Sequence, residues 1–327
     1  MIVSRTPLRM SFVGGGSDMP DFYRLHGGAV LSTAIEKYVY VNVNRKFDSG
    51  IRVAYSRTEE VDHVDAVEHP IVRHALKRMA IDGGIEITTI ADIPSRGTGL
   101  GSSSSFTVGL LNALAAFKGS HLSREDLGRE SSHIEIDLCG EPIGKQDQYA
   151  AAFGGLNLIE FKPDDRVVVS PVILRPDVRD TLAKRLLVFY TGITRSASQI
   201  LEKQSAGIVS SETKRDTLRK MVDLAYRLSD ELRGGNLDRF GEILHENWEL
   251  KKSLTDAIST GQIDRWYETA RACGAQGGKI MGAGSGGFLL FYAPEEKHDA
   301  IRQGLAPLRE MKITFDLLGS RIMFYDA

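Results

Sequence analysis

The chain has 327 residues, 42% hydrophobic and 26% charged, with 41 Lys and Arg against 43 Asp and Glu, a formal charge of -2. That is the balance of an ordinary globular protein with room for two lobes or one large α/β unit, and it excludes the overall basic footprint of a nucleic-acid binder. Cys139 and Cys273 lack metal-type spacing, the N-terminus has no long apolar run after its first charge, and no window approaches the roughly 20 apolar residues of a membrane span, which predicts a reduced, cytoplasmic protein.

In chain order, residues 2–13 alternate weakly and end at Gly14-Gly15-Gly16, and "YVYVNVNR" (38–45) alternates strictly, so both are expected as half-buried strands. "RVAYS" (52–56) reads as another strand and 69–81 as a helix. "IEITTIA" (85–91) is the strand that feeds the stretch "PSRGTGLGSSSS" (94–105). Helices are expected over 103–118 and 124–137, the second with Ser123 as N-cap and Asp126 three residues on. After Gly154-Gly155 the chain returns to strands at 156–161, 167–174 and 185–191. Between 196 and 272 three or four amphipathic helices are expected, one over 218–233 with apolar residues at 218, 221, 222, 224, 225, 228 and 232. The last 50 residues read as a short strand, the turn "GAGSGG", the strand "FLLFY" (288–292), a helix from about 294, and closing strands near 313–318 and 321–325. No repeat or linker interrupts the pattern, and a boundary placed near residue 180 divides it into lobes 1–180 and 181–327.

The glycines of 94–105 permit positive φ and remove bulk, so the backbone amides of Gly97, Thr98, Gly99, Leu100 and Gly101 can converge on a polyanion. The following helix adds the unpaired amides of Ser102, Ser103 and Ser104 and the positive end of its dipole. The hydroxyls of Ser102 to Ser105 can donate to phosphate or ligate a hard cation such as Mg²⁺. A surface loop whose serines merely cap the helix fits the same letters, and glycine content alone does not separate the two readings. No Lys-Ser or Lys-Thr follows the last glycine, so this is no Walker P-loop, and a triphosphate bound here implies a different class of kinase.

Pro94 followed by "GLGSSS" resembles the second signature motif of the GHMP kinases, the superfamily of galactokinase, homoserine kinase, mevalonate kinase and phosphomevalonate kinase. "TPLRMSFVGGGSD" (6–18) is similar to that family's N-terminal motif, with Arg9 and Asp18 at its spacing, and "KIMGAGSGGFLLF" (279–291) resembles its C-terminal glycine-rich motif. By letter, Gly282-x-Gly284-x-x-Gly287 also matches a dinucleotide fingerprint, but a strand follows it where a helix is required. The resemblance spans nearly the whole chain. It implies an α+β, two-lobed GHMP kinase fold with nucleotide and sugar in the inter-lobe cleft, ATP and Mg²⁺ as cofactors, small-molecule partners only, and a monomer or homodimer.

Glu130, Glu135, Asp137, Glu141 and Asp147 put five carboxylates within 18 residues, and for most of them a solvated helix face explains the charge. The resemblance implies an acidic metal ligand twelve residues before a catalytic aspartate, which matches Glu135 and Asp147. On that reading Glu135 and the Ser103 hydroxyl hold Mg²⁺ against the β- and γ-phosphates, and Asp147 accepts the proton of the attacking hydroxyl or orients it. Arg9 pairs with Asp147 and keeps it ionised, or stabilises the transferring phosphoryl group. The role of Lys145 stays open.

Asp18 matches the aspartate that binds sugar hydroxyls in galactokinase-like members, and Gly15, Gly16, Ser17, Asp18 and Gly155 are expected around the substrate. Galactokinases carry Glu-His where this chain has Gly15 and Gly16, which is expected to widen the pocket and argues against galactose. "FVGGGSD", "GKQDQYAAAFGGLN" (144–157), "YTGITRSASQIL" (190–201) and "HENWELKK" (245–252) resemble the D-glycero-D-manno-heptose 7-phosphate kinases, which phosphorylate an anomeric hydroxyl. The acceptor's own phosphate needs a cation, for which Arg195, helped by Ser196 and the amides opening the next helix, is the candidate; a surface arginine near a helix start is the alternative. Fucose-type sugar 1-kinases share the triple glycine, and a non-catalytic sugar and nucleotide sensor of the same fold also stands as an alternative. A decarboxylase of the mevalonate branch is set aside for the different basic pattern of its acceptor pocket. His26, His69, His133 and His245 have no metal spacing and read as surface or packing residues.

Overall fold

The computed structural model describes residues 1–94, 97–195 and 197–326. Its first sheet is built on a long antiparallel pair: β1 (Ile2–Val13) runs against β2 (Gly28–Arg45) from Ile2↔Val43 to Val13↔Leu31, with bulges after Pro7 and Ser11. A short helix, α1 (Pro20–His26), joins them. Along 38–45 the pleat puts Val39, Val41 and Val43 into the core and turns Tyr40, Asn42 and Asn44 away, which is the alternation the sequence displays. Residues 28–35 are buried on both faces, so β2 begins ten residues before its alternation does.

β3 (Ile51–Ala54), β4 (Thr58–Val61), α2 (Pro70–Arg78) and β5 (Ile85–Ala91) follow. After β5 come α3 (Ser102–Phe117), α4 (Arg124–Ser132), a π-helical turn His133–Leu138, α5 (Gln146–Phe153), β6 (Leu156–Phe161) and β7 (Val167–Pro171). The expected helix over 124–137 is thus α-helical only to Ser132. Ser123 caps it as read, its Oγ accepting from Asp126 N at 3.0 Å. β2 takes two partners in succession, β6 along Gly28–Thr33 and β5 along Val39–Arg45, which lets one strand serve both halves of the sheet.

The second lobe comprises α6 (Pro176–Arg185), β8 (Leu186–Tyr190), α7 (Ala197–Ser210), α8 (Glu212–Arg233), α9 (Phe240–Lys252), α10 (Gly261–Ala272), β9 (Gly277–Ile280), β10 (Phe288–Tyr292), α11 (His298–Gly304) and β11 (Arg309–Glu310). Its four-stranded sheet has the order β11-β8-β10-β9. The last strand, β12 (Arg321–Tyr325), returns to pair with β1, so a cut at residue 180 assigns one edge of the first sheet to the second half of the chain.

The strand expected near 313–318 is not formed. That segment makes only the bridge Ile35↔Phe315, because the neighbouring amide of Ala34 already donates to Gly155 O at 2.9 Å. The two lobes share one core: Phe12 of β1 meets Phe240 of α9 edge-to-face at 5.1 Å, and Leu224, Leu228 and Tyr292 belong to the same buried cluster as Leu8 and Met10. That shared packing fixes the second lobe's helices against the end of β1, where the motifs converge.

Candidate active site

Arg9, on β1 and 4% exposed, forks onto Asp147 in the first turn of α5, with Nε to Oδ1 at 2.6 Å and Nη2 to Oδ2 at 2.7 Å. Its Nη1 donates to Gly99 O at 2.6 Å, and its backbone N to Leu100 O at 3.1 Å. One side chain therefore ties a carboxylate to the Gly97–Gly101 loop by three charge-assisted bonds, a geometry that only a planar guanidinium supplies. The Asp147 side chain keeps 23% exposure, so one flank stays open.

Gly97, Gly99 and Gly101 all hold positive φ (68°, 76° and 75°), as read from their spacing. The reason at Gly99 is also steric. A Cβ there would lie 2.4 Å from Met281 O, and one at Gly287 would lie 2.3 Å from Thr98 O, so the second and third glycine-rich segments pack backbone to backbone. Strand β10 follows the third segment directly, in agreement with the rejection of a dinucleotide fold. Thr98 and Leu100 are buried anchors, and Gly101 caps α3, whose first amides, at Ser102, Ser103 and Ser104, have no intrahelical acceptor. Such an end can hold phosphate oxygens. Ser105 leaves the set of free hydroxyls, because it is fully buried and donates to Pro7 O at 2.8 Å.

Glu135, 1% exposed on the π-helical turn, accepts from Ser103 Oγ at 2.8 Å and from Gln148 Nε2 at 2.6 Å. Burial pushes its carboxyl up to about 7, against the pull of hydrogen bonds from Ser103, Ser104 and Gln148. Among the described residues no group of three or more His, Cys, Asp or Glu side chains could hold a metal. A divalent cation here would rest on Glu135, Ser103, a ligand's phosphate oxygens and water. That oxygen set suits Mg²⁺, and a cation would compensate a carboxylate that burial otherwise penalises.

Asp18, 2% exposed, accepts from Gly16 N at 3.0 Å, Gln146 Nε2 at 2.9 Å and Gln146 N at 3.2 Å. Burial first, then the charge of Asp147, raises its carboxyl above the usual range, and those hydrogen bonds oppose the shift. The structure brings Asp18, Gly15, Gly16, Arg9, Asp147, Glu135 and the 97–104 segment together, with Arg195 next to Gly97, and turns two other expected substrate residues, Ser17 and Gly155, away from them. Ser17 is fully buried, its hydroxyl donating to Gly14 O at 2.8 Å and accepting from Ala29 N at 3.1 Å, so it closes the turn instead of facing a ligand. Gly155 lies beyond the far end of α5, which at helical rise runs about 9 Å from Asp147 to Phe153, with its N–H on Asp316 O and its carbonyl taken by Ala34. Arg195 is exposed, and its backbone packs on Gly97, where a Cβ would lie 2.9 Å from Arg195 N. Ser196 lies outside the described residues. The expected widening of the pocket does not extend to Gly16, because the space beside it is filled by Gln204, whose Nε2 lies 2.2 Å from where a Cβ would sit.

Two buried lysines were missed by the sequence reading. Lys251, in the last turn of α9 and 5% exposed, donates to Gly282 O. Burial, then the charge of Arg9, brings its ammonium down to about 8, while Asp18 and Asp147 pull it back up. Lys279 of β9 donates to Ser11 O at 2.8 Å and Phe12 O at 3.2 Å, and burial, then Lys251 and Arg9, holds it well below the lysine range. Lys145 points elsewhere, onto Asp165 at 3.0 Å. His133 pairs with Asp137 at 2.8 Å and His245 with the Tyr267 hydroxyl at 2.6 Å, while the His69 ring packs on Tyr55 and Phe106.

Comparison with known proteins bears on the family and the fold. Residues 66–155 match the model of the GHMP kinases N terminal domain and residues 228–308 that of the GHMP kinases C terminal domain. The chain is 30% identical over 317 residues to a D-glycero-alpha-D-manno-heptose 7-phosphate kinase of Campylobacter jejuni, covering 92% of each. It is 29% identical over 336 residues to a bifunctional fucokinase/GDP-fucose pyrophosphorylase of Arabidopsis thaliana, covering 94% of this chain and 31% of that one. A crystal structure of a D-glycero-D-manno-heptose 1-phosphate kinase from Bacteriodes thetaiotaomicron superposes with a TM-score of 0.82 at 25% identity over all of both chains. A Lactococcus lactis galactokinase complexed with galactose superposes at 0.80 and 20% identity, covering 98% and 94%, and speaks for the fold alone.

Proposed function

The chain belongs to the GHMP kinases and is an ATP-dependent sugar kinase, and from that premise we propose that it phosphorylates the anomeric (C1) hydroxyl of D-glycero-D-manno-heptose 7-phosphate. The product is the 1,7-bisphosphate, a precursor for nucleotide-activated heptose. The observation that carries the chemistry is the Arg9 fork, which holds Asp147 beside the amide-lined loop at 97–104. The likeness to the Campylobacter jejuni heptose 7-phosphate kinase supports the choice of acceptor.

In the proposed reaction the amides of Gly97–Ser104 hold the β- and γ-phosphates, and Asp18 and Asp147 position the sugar. The C1 oxygen attacks the γ-phosphorus, the bond from that phosphorus to the β-bridging oxygen breaks, ADP leaves, and the hydroxyl proton passes to Asp147 Oδ1 or Oδ2. Both of those oxygens already accept from Arg9, so Asp147 chiefly fixes the direction of the attacking hydroxyl. Arg9 and Lys251 supply fixed positive charge where negative charge gathers in the transition state. Mg²⁺ bound by Glu135 and Ser103 would neutralise phosphate charge. Arg195, exposed beside Gly97, is the proposed cation for the 7-phosphate.

ADP release measured with heptose 7-phosphate, L-fucose, galactose and mevalonate tests the reading. Turnover is expected with the heptose phosphate, and phosphorus NMR of the product should display a second, acid-labile glycosyl phosphate. Preference for free L-fucose would transfer the assignment to the fucokinase-like alternative, which the 29% identity to the Arabidopsis protein favours. No turnover of any sugar would leave a non-catalytic binder.

A further inference from the structure

Among the described residues, four buried side-chain atoms without a hydrogen-bond partner lie against one five-residue loop, Gly14–Asp18: Ser11 Oγ, Gln146 Oε1, Gln204 Nε2 and Asn247 Nδ2. Contacts to the loop place each of them. Asn247 Oδ1 accepts from Gly14 N at 3.0 Å, which leaves Nδ2 as the spare donor. Gln146 Nε2 donates to Asp18 Oδ1 at 2.9 Å, which leaves Oε1 as the spare acceptor. Ser11 Oγ lies 3.6 Å from the place a Cβ would take at Gly15, and Gln204 Nε2 lies 2.2 Å from that place at Gly16. A buried polar group left unpaired is costly, and native interiors carry few of them. Four around one loop, beside a buried carboxylate, point to a ligand that completes them.

We propose that these four atoms and Asp18 form the hydroxyl-binding wall of the acceptor site, that Gln204 of α7 is its specificity-determining residue, and that α7 shifts to admit the acceptor. This rests on the sugar-kinase reading and deepens it. Two amide donors, an amide acceptor, a hydroxyl and a carboxylate match a neutral polyol ring, in which each hydroxyl both donates and accepts. An acceptor with its own carboxylate at this position would meet Asp18 with like charge. Gln204 is 2% exposed, so the acceptor reaches its amide only as α7 moves. The side-chain hydrogen bonds from α7 to the first lobe, among the described residues, are two exposed serine bonds, Ser198 to Glu141 Oε2 at 2.8 Å and Ser205 to Asp21, and water can replace both.

Steady-state kinetics of Gln204→Leu and the isosteric Gln204→Glu test this, using the sugar the wild type phosphorylates best and its mono-deoxy and epimeric analogues. The wild type is expected to reject one deoxy analogue by at least tenfold in kcat/KM, the worth of one hydrogen bond. Both variants should raise the acceptor KM about tenfold, leave the KM for ATP unchanged, and no longer separate the parent sugar from that analogue. Discrimination retained by folded variants, or an equal loss with every acceptor together with a raised KM for ATP, overturns the assignment while leaving the sugar-kinase reading intact. Absence of sugar turnover by the wild type overturns both. Circular dichroism establishes folding, and if Gln204→Leu does not fold, Gln204→Glu carries the comparison alone.

Discussion

The Arg9–Asp147 pair can be tested by a double-mutant cycle whose size follows from the geometry. The guanidinium spends three donors, two on the carboxylate and one on Gly99 O, and its side chain is 5% exposed against 23% for that of Asp147. Removing one partner of a fully buried pair costs about 3–5 kcal/mol, because the other charge is left without compensation. Water at the open flank of Asp147 recovers part of this, so Arg9→Met and Asp147→Asn are each expected to cost about 2–4 kcal/mol. Asp147→Asn should be the worse for stability, since it strands the deeper charge. The two losses share one interaction, so the double variant should lose about 2 kcal/mol less than the sum of the two single losses. Urea unfolding with unchanged m-values measures the cycle. Arg9→Lys keeps the charge but cannot hold Asp147 and Gly99 O at once, and kcat should fall about 10- to 100-fold. Stabilities additive to within about 0.5 kcal/mol would mean that the pair does not interact in solution. Full kcat in Asp147→Asn would refute the proposed chemistry.

Glu135→Gln keeps an acceptor for Ser103 and should fold, but the Mg²⁺ concentration for half-maximal activity should rise at least tenfold; an unchanged Mg²⁺ titration would remove Glu135 from the metal site. Lys251 has a folded value of about 8 against 10.5 unfolded, so the unfolded chain binds more protons between those values. Stability therefore rises with pH across that window, and the cost of the buried ammonium, on the order of 3 kcal/mol, is present in full below pH 8. Lys251→Met should flatten that slope and break even or gain in stability at pH 7, despite the bare Gly282 carbonyl, while kcat falls; a slope identical to wild type would contradict the assignment. Gly99→Ala places a methyl 2.4 Å from Met281 O at φ 76°, and an unfolding midpoint within error of wild type would show that the two glycine-rich segments are not in contact.

Alternation makes an element legible where it has one wet face, whereas buried strands such as β8 and β10 were legible only as short apolar runs. Val39, Val41 and Val43 alternate with outward Tyr40, Asn42 and Asn44, so that half of β2 could be read, whereas 28–35 is covered on both sides and carries no period. Helix α5 escaped because it has eight residues and its polar opening, Gln146, Asp147 and Gln148, faces the site instead of water. Reading those polar residues as surface hides the helix. The π-helical turn that carries Glu135 has no signature of its own, and it was the family resemblance, not a local pattern, that singled out Glu135 twelve residues before Asp147, whose charge it feels in the structure. A signal did exist for α9: Phe240, Ile243, Leu244, Asn247, Trp248 and Lys251 fall at intervals of three and four on its buried stripe. A lysine and an asparagine at core positions of an otherwise apolar stripe mark buried polar work, and helical spacing alone could have singled them out.

What the sequence could not supply is the joining of segments distant along the chain. Gly99 and Gly282 are separated by more than half its length, yet a Cβ on the second would lie 2.5 Å from the Cα of the first. Only backbone fits there, so the direction of the loop's amides is set by a turn of the other lobe. Lys279 makes the same kind of junction in charge, since its ammonium from β9 bonds the carbonyls of Ser11 and Phe12 at the point where β1 ends and the Gly14–Asp18 loop begins. A displacement of the second lobe must therefore move the loop, the Arg9 fork and the Asp18 carboxylate together. The lobes are coupled through buried polar contacts, whereas among the described residues the side-chain hydrogen bonds of α7 to the first lobe are two solvent-exposed serine bonds. Acceptor entry is accordingly expected to loosen α7 and to leave the junction at Lys279 intact.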